Sequence, residues 1–228
     1  MLRSRSSSEL ESLAGARLFE DRRHAGRLLA SALIGYAGDD PLVFGLPRGG
    51  VPVADEVAGS LNGTLDVWVS RKLGVPSQPE LGMGAIAEGP AIVIDRETMN
   101  LAGITRARFL ELARREMAEV QQRVERFRAG RTPPDLQGRV VILIDDGIAT
   151  GVTMRAAIRG VRRRHPARLV VAVPVAPRDT VGELRREVDD VICLHQPEVL
   201  YAVGLWYEDF HQLRDDKVVR ILERFRSA

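Results

Sequence analysis

Cysteine is nearly missing from this chain of 228 residues: Cys193 stands alone, so no internal disulfide can brace the fold. Set in Asp-Val-Ile-Cys-Leu, it reads as a small core residue of a strand rather than a nucleophile, in a chain suited to a reducing cytoplasm. An excess of either charge is missing too. Lys and Arg number 33 against 31 Asp and Glu, and a net charge of +2 is too balanced to argue for DNA as a partner. The four histidines, at 24, 165, 195 and 211, lack metal-ligand spacing. No apolar run is long enough to span a membrane, so no membrane partner is expected. Residues 1–17 begin polar and serine-rich, with no apolar segment at their start. They read as a disordered or loosely ordered tail and not as a signal peptide. What remains, residues 18–228, suits a single α/β domain with an insertion and is long enough to bury a sizeable core.

Short apolar runs alternate with helical stripes along the chain. Residues 41–46, 64–70, 139–144, 169–175 and 191–194 read as strands, and residues 18–33, 51–61, 152–164 and 180–187 as helices. Strand, loop, helix, strand is the crossover unit of a parallel sheet, right-handed by default. The unbroken apolar run at 140–144 suits a strand buried on both faces. Together these predict a mostly parallel, helix-flanked sheet. Two stretches do not fit the alternation. Residues 74–90 are rich in Gly and Pro, and 84–94 look like a hairpin. Residues 105–128 carry the longest helical signal, with Phe109, Leu112, Met117, Val120, Val124 and Phe127 on one stripe, Thr105 as N-cap and Gly130 as stop. The remaining face of that helix, rich in Arg and Glu, reads as solvated.

Two strand–loop–helix junctions carry the chemistry. In residues 140–154, Val-Val-Ile-Leu-Ile-Asp-Asp-Gly-Ile-Ala-Thr-Gly-Val-Thr-Met, the apolar run is followed at once by Asp145 and Asp146. They would sit at the carboxyl end of a strand, where open α/β sheets bind ligands. Gly147, Ala149, Thr150, Gly151, Val152 and Thr153 then form a tight loop into a helix. Its converging N–H groups, with the hydroxyls of Thr150 and Thr153, make an anion site. A phosphate in the loop beside a sugar diol on the carboxylates is the ligand this layout suggests. The second junction is Phe44-Gly45-Leu46-Pro47-Arg48-Gly49-Gly50-Val51-Pro52. Gly49 and Gly50 allow close backbone approach to an anion, and the Arg48 guanidinium can fork onto phosphate oxygens. Arg71 and Lys72 follow the 64–70 run, either as a further cationic piece or as plain surface charge.

The first of these stretches resembles the phosphoribosyl-pyrophosphate-binding motif of type I phosphoribosyltransferases. The resemblance implies that Asp145 and Asp146 hold the ribose hydroxyls, directly or through magnesium-bound water, and that residues 147–153 hold the 5′-phosphate. One departure is Gly147, where the family usually has an aliphatic or serine residue. Arg48, Gly49 and Gly50 resemble the family's pyrophosphate loop, with Lys72 as a further cation on that group. Some members hold a cis peptide bond in this loop, which would fall between Arg48 and Gly49 here. Residues 74–94 match the position of a mobile loop that closes over substrate, and 74–137 form a loop and long-helix insertion. Near the C-terminus, residues 195–215 resemble the hood segment of purine-using members. Trp206 or Tyr207 would stack on a base there while Glu208 or Asp209 binds its polar edge; alternatively both aromatics simply pack the hood.

The resemblance implies a magnesium-dependent phosphoribosyl transfer to a nucleobase-like nitrogen acceptor. Ala149 stands where oxopurine enzymes carry an acid, and Val173-Pro174-Val175-Ala176-Pro177 lacks their lysine, so the motif is similar to the adenine type. The chain as a whole resembles a bacterial group sharing the Arg-Gly-Gly-Val-Pro loop, the long inserted helix and the Gly-Leu-Trp-Tyr-Glu-Asp-Phe ending, a group without an agreed acceptor. A homodimer through the 105–128 helix fits the family's habit. The rival reading is a non-catalytic sensor of phosphoribosyl pyrophosphate or a nucleotide on the same fold.

Overall fold

The computed structural model describes residues 18–225; the expected N-terminal tail and the last three residues lie outside them. Five strands form one parallel sheet: β1 (Leu42–Gly45), β2 (Thr64–Val67), β6 (Val140–Ile144), β7 (Arg168–Val175) and β8 (Asp190–His195), in the order β2-β1-β6-β7-β8. In the three inner strands β1, β6 and β7 the apolar runs are continuous because both faces are covered. Val43, Ile142, Ile144, Val170 and Ala172 face one core with helices α1 (Arg22–Ala32) and α2 (Gly50–Leu61). Leu42, Phe44, Val141, Leu143 and Val171 face the other, against α5 (Val152–Arg162) and α6 (Arg178–Leu184). The predicted α/β class and the parallel sheet are what is found.

The chain leaves β1 for β2 on one side and returns as β6 on the other. That reversal is a topological switch point, and the crevice beyond the carboxyl ends of such strands is where open α/β sheets take ligands. Both motif loops, after β1 and after β6, open there. A backbone hydrogen bond from Leu46 N to the Ile144 carbonyl (2.8 Å) holds the strand ends together.

The insertion departs from the sequence reading at its start. The strand expected over 64–70 ends at Val67, and Ser70 already belongs to β3 (Ser70–Val75) of a separate antiparallel sheet with β4 (Gln78–Ala87) and β5 (Ala91–Ile94). The break has a cause: Trp68 N still bonds the Gly45 carbonyl, whereas Val69 N is taken by the Glu88 carboxylate. The expected 84–94 hairpin is present, turning at Gly89 with φ 73°. After α3 (Arg96–Leu101), the long helix α4 (Arg106–Arg128) is capped by the Thr105 hydroxyl, which accepts from Arg108 N. Its buried face includes Phe109, Ala113, Val120 and Phe127. A helix that periodicity left uncalled, α7 (Asp215–Arg224), packs Val218, Ile221 and Leu222 inward.

Charge ties the insertion to the main sheet. Arg128, at the end of α4, has a side chain only 5% exposed. Its Nε donates to Asp66 Oδ2 (2.9 Å), and its Nη2 donates to the Val67 carbonyl and to Glu88 Oε1 (both 2.8 Å). Burial pushes the Glu88 carboxyl above its usual range despite the nearby guanidinium. Removing one member of a buried ion cluster leaves the others uncompensated, at about 3–5 kcal/mol. Arg128→Met is therefore expected to lower the urea unfolding midpoint by that equivalent; an unchanged midpoint would mean that water already solvates Asp66 and Glu88.

Candidate functional site

Asp145 and Asp146 stand immediately after β6, at the switch point. The glycines of the β1 loop fit against them. A Cβ at Gly49 would lie 2.0 Å from Asp146 Oδ2, and one at Gly50 would lie 2.5 Å from the Ile144 carbonyl and 2.8 Å from Asp145 Cα. Any other residue there would displace the carboxylates, so these glycines serve approach rather than flexibility. The peptide bond between Pro47 and Arg48 is cis, one residue before the expected position between Arg48 and Gly49. Arg48 points its guanidinium toward Asp215 at the start of α7, at 3.9 Å, a carboxylate it shares with Arg123 and Arg126 of α4.

The β6 loop is built by its neighbours. Gly147 has no room for a side chain, because Val203 of the C-terminal segment would sit 2.5 Å from its Cβ. This is the physical reason for glycine there, and it is a packing reason. The turn itself is made by Gly151, with φ 74°, which caps α5. Ile148 N bonds the Val175 carbonyl, and the Thr180 hydroxyl donates to the Ala149 carbonyl (3.1 Å). Ala149 and Thr150 are exposed, Val152 and Thr153 partly so. The exposed residues of the loop thus lie beside a helix N-terminus, an arrangement suited to an anion.

Lys72 is not grouped with Arg48, Gly49 and Gly50 as expected. Because β3 begins at Ser70, Lys72 lies within an antiparallel strand, where its Nζ donates to the Glu80 carbonyl (2.6 Å). It lines a cavity of about 380 Å³ together with Thr150, Val152 and Arg155 of the other loop and its helix. Arg71 pairs with Glu116 and Glu119 of α4.

The carboxylate pair has partners that the sequence did not announce. Arg22, in the first turn of α1, donates from Nε to Asp146 Oδ2 (2.7 Å) and from Nη1 to the His211 carbonyl (3.0 Å), with its guanidinium 3.8 Å from the centre of the Phe210 ring. The Tyr207 hydroxyl donates to the Asp146 backbone carbonyl (2.5 Å). Tyr207 is 2% exposed and packed between Phe19 and Phe210, so the expectation that its ring stacks on a base is corrected. Trp206 is partly exposed and lies against His195, with ring centres 5.6 Å apart, while Asp209 is exposed and bonded to His211. A signal for Arg22 did exist: it is a charged residue on the stripe of Leu18, Gly26, Leu29 and Leu33, where only a buried partner would justify it.

Burial and the charge of Asp146 push the Asp145 carboxyl well above the usual range. Asp146 is raised by burial too, but Arg22 opposes that rise. A carboxyl with a raised folded pKa binds more protons in the native state, so its contribution to stability falls as pH climbs from about 3.9 through that raised value. Asp145→Asn keeps the oxygen that accepts from Asp146 N (2.9 Å in the parent) and removes this loss. The variant is expected to melt higher than the parent at pH 7, with a difference that shrinks toward pH 4. A difference independent of pH would refute the assignment of the raised pKa.

Residues 18–205 match the phosphoribosyl transferase domain family. Two Mycobacterium tuberculosis proteins, from strains CDC 1551 and H37Rv, whose names assign them provisionally as phosphoribosyl transferases, are each 46% identical over 208 residues. The match takes in 91% of this chain and 47% of theirs, so the chain spans about half the length of these curated relatives. The crystal structure of TT1426 from Thermus thermophilus superposes with a TM-score of 0.76 at 42% identity, covering 91% of this chain and 98% of that one. A protein of Aquifex aeolicus, AQ2163, is 11% identical with a TM-score of 0.50 over 90% of this chain and 91% of its own, a likeness of fold alone. With its motif loops at the switch point of the matching fold, the chain belongs to the phosphoribosyl transferase domain family.

Proposed function

We propose that this chain transfers the 5-phosphoribosyl group of phosphoribosyl pyrophosphate to a nitrogen of a nucleobase-like acceptor, releasing pyrophosphate. The observation that carries the reading is the meeting of two anion-suited loops and a half-buried carboxylate pair at one switch point. Asp145 and Asp146 take the ribose hydroxyls, residues 147–153 the 5′-phosphate, and Arg48, Gly49 and Gly50 the pyrophosphate. In the reaction the C1′–O bond to pyrophosphate breaks as the acceptor nitrogen bonds to C1′. The loops stabilise the departing anion and keep water from the oxocarbenium-like sugar.

The donor set fits magnesium. Two adjacent carboxylates are hard oxygen donors, and no cluster of three or more His, Cys, Asp or Glu able to hold a metal exists among the described residues. An ion that keeps its waters and completes its shell with substrate phosphates suits such a site. Asp145 and Asp146 would hold it through water, and it would offset charge between the carboxylates and the pyrophosphate. The absence of an acid at position 149 supports an adenine-like acceptor ahead of an oxopurine. Of the two aromatics expected to meet it, Trp206 is the one partly exposed, beside His195, and it would stack on the base.

Pyrophosphate release from phosphoribosyl pyrophosphate and magnesium, measured over a panel of nucleobases, tests the reading. Base-dependent release is expected, with a loss on the order of 100-fold or more in the Asp145→Asn/Asp146→Asn protein. Binding without turnover on any base would overturn catalysis in favour of a sensor.

A further inference from the structure

The segment before α1 and the segment before α7 meet over Asp146. Phe19 N bonds the Trp206 carbonyl (3.1 Å), Glu208 N the Phe19 carbonyl (2.9 Å) and Asp209 N the Glu20 carbonyl (2.8 Å), a backbone belt between the segment before α1 and the C-terminal segment. Two side chains reach inward from this belt to the same residue. Arg22 takes the Asp146 carboxylate and Tyr207 the Asp146 carbonyl, so side chain and main chain are fixed independently.

We infer that Arg22 is a positioning residue for phosphoribosyl pyrophosphate binding: it orients the Asp146 carboxylate without closing it off. The inference rests on the proposed role of Asp146 with ribose. Three features separate this role from plain structural bracing. The contact to Asp146 is single, through Nε to Oδ2, and Nη1 is spent on the His211 carbonyl, so no bidentate fork covers both carboxylate oxygens. The guanidinium is itself held from outside by the Phe210 ring at 3.8 Å, which fixes its plane. Its side chain is 11% exposed and that of Asp146 14%, so the pair is shielded from screening but not sealed from a ligand. A ligand hydroxyl can then donate to an oxygen whose direction Arg22 has already set, which lowers the ordering cost of binding.

Arg23, the next residue on α1, supplies the control. It pairs with Asp55 and Glu56, away from Asp146. Calorimetric titration with phosphoribosyl pyrophosphate and magnesium would compare wild type with Arg22→Gln, Arg22→Lys and Arg23→Ala, each first checked by thermal melting. Arg22→Gln keeps a flat polar end against Phe210 but loses the charge, and is expected to weaken affinity by about 10- to 100-fold. Arg22→Lys should recover part of the loss, and Arg23→Ala should match wild type. If a turning-over acceptor is in hand, KM for phosphoribosyl pyrophosphate should rise in Arg22→Gln while KM for the acceptor stays put. A folded Arg22→Gln that binds within twofold of wild type overturns the inference, as does an equal loss in Arg23→Ala, which would mark a general effect of α1. A wild-type chain that fails to bind sinks the underlying reading of the site, and the inference with it.

Discussion

Two neighbouring carboxylates drawn out of water dominate the architecture. Burying one charge without a partner is costly, and burying two side by side is worse, since each raises the pKa of the other. This chain accepts the pair by treating its members differently. Asp146 receives the Arg22 guanidinium, which opposes the rise that burial causes there, while burial and the charge of Asp146 push Asp145 well above the usual range. Around this core the chain is drawn very close. Gly49, Gly50 and Gly147 each lack space for a Cβ, and each gap is filled by a different element: the carboxylates themselves, the end of β6, and Val203. The crevice is thus a consequence of close packing as much as of strand order.

A second set of charges holds the insertion where it is. Arg128 is sunk among Asp66, Glu88 and the Val67 carbonyl, pinning the end of α4 to the edge of the main sheet. In the same last turns of α4, Arg123 and Arg126 share Asp215 with Arg48. A residue of the β1 loop is thereby linked electrostatically to α4 and α7. The more exposed of these contacts contribute little to stability singly. Their interest lies in connection: the loop that would meet pyrophosphate is tied through Asp215 to α4 and α7.

How much of this was legible beforehand differs by element. The strands of the main sheet were readable because burial on both faces forces unbroken apolar runs, and Val140–Ile144 is the plainest case. Helix α4 was readable because one apolar stripe, a Thr cap and a Gly stop agree with one another. The 64–70 strand misled because Trp68 and Val69 extend the apolar run past Val67, while the choice of hydrogen-bond partner, Gly45 on one side and Glu88 on the other, is made by residues far away. Helix α7 has only three buried apolar positions and no side-chain cap, too little for periodicity to register.

The same division runs through the site. By itself, the sequence determined that two acids follow a buried strand, that glycines and threonines follow the acids, and that an Arg-Gly-Gly loop ends another strand; local chemistry alone demands those residue types. Only the tertiary structure decided that the two loops face one another, that Lys72 bonds the Glu80 carbonyl, that Tyr207 is buried, and that Arg22 lands on Asp146 from 124 residues away. The reason is physical. Spacing and periodicity encode what a residue does to its neighbours in the chain, whereas a buried charge takes whichever partner the packing delivers.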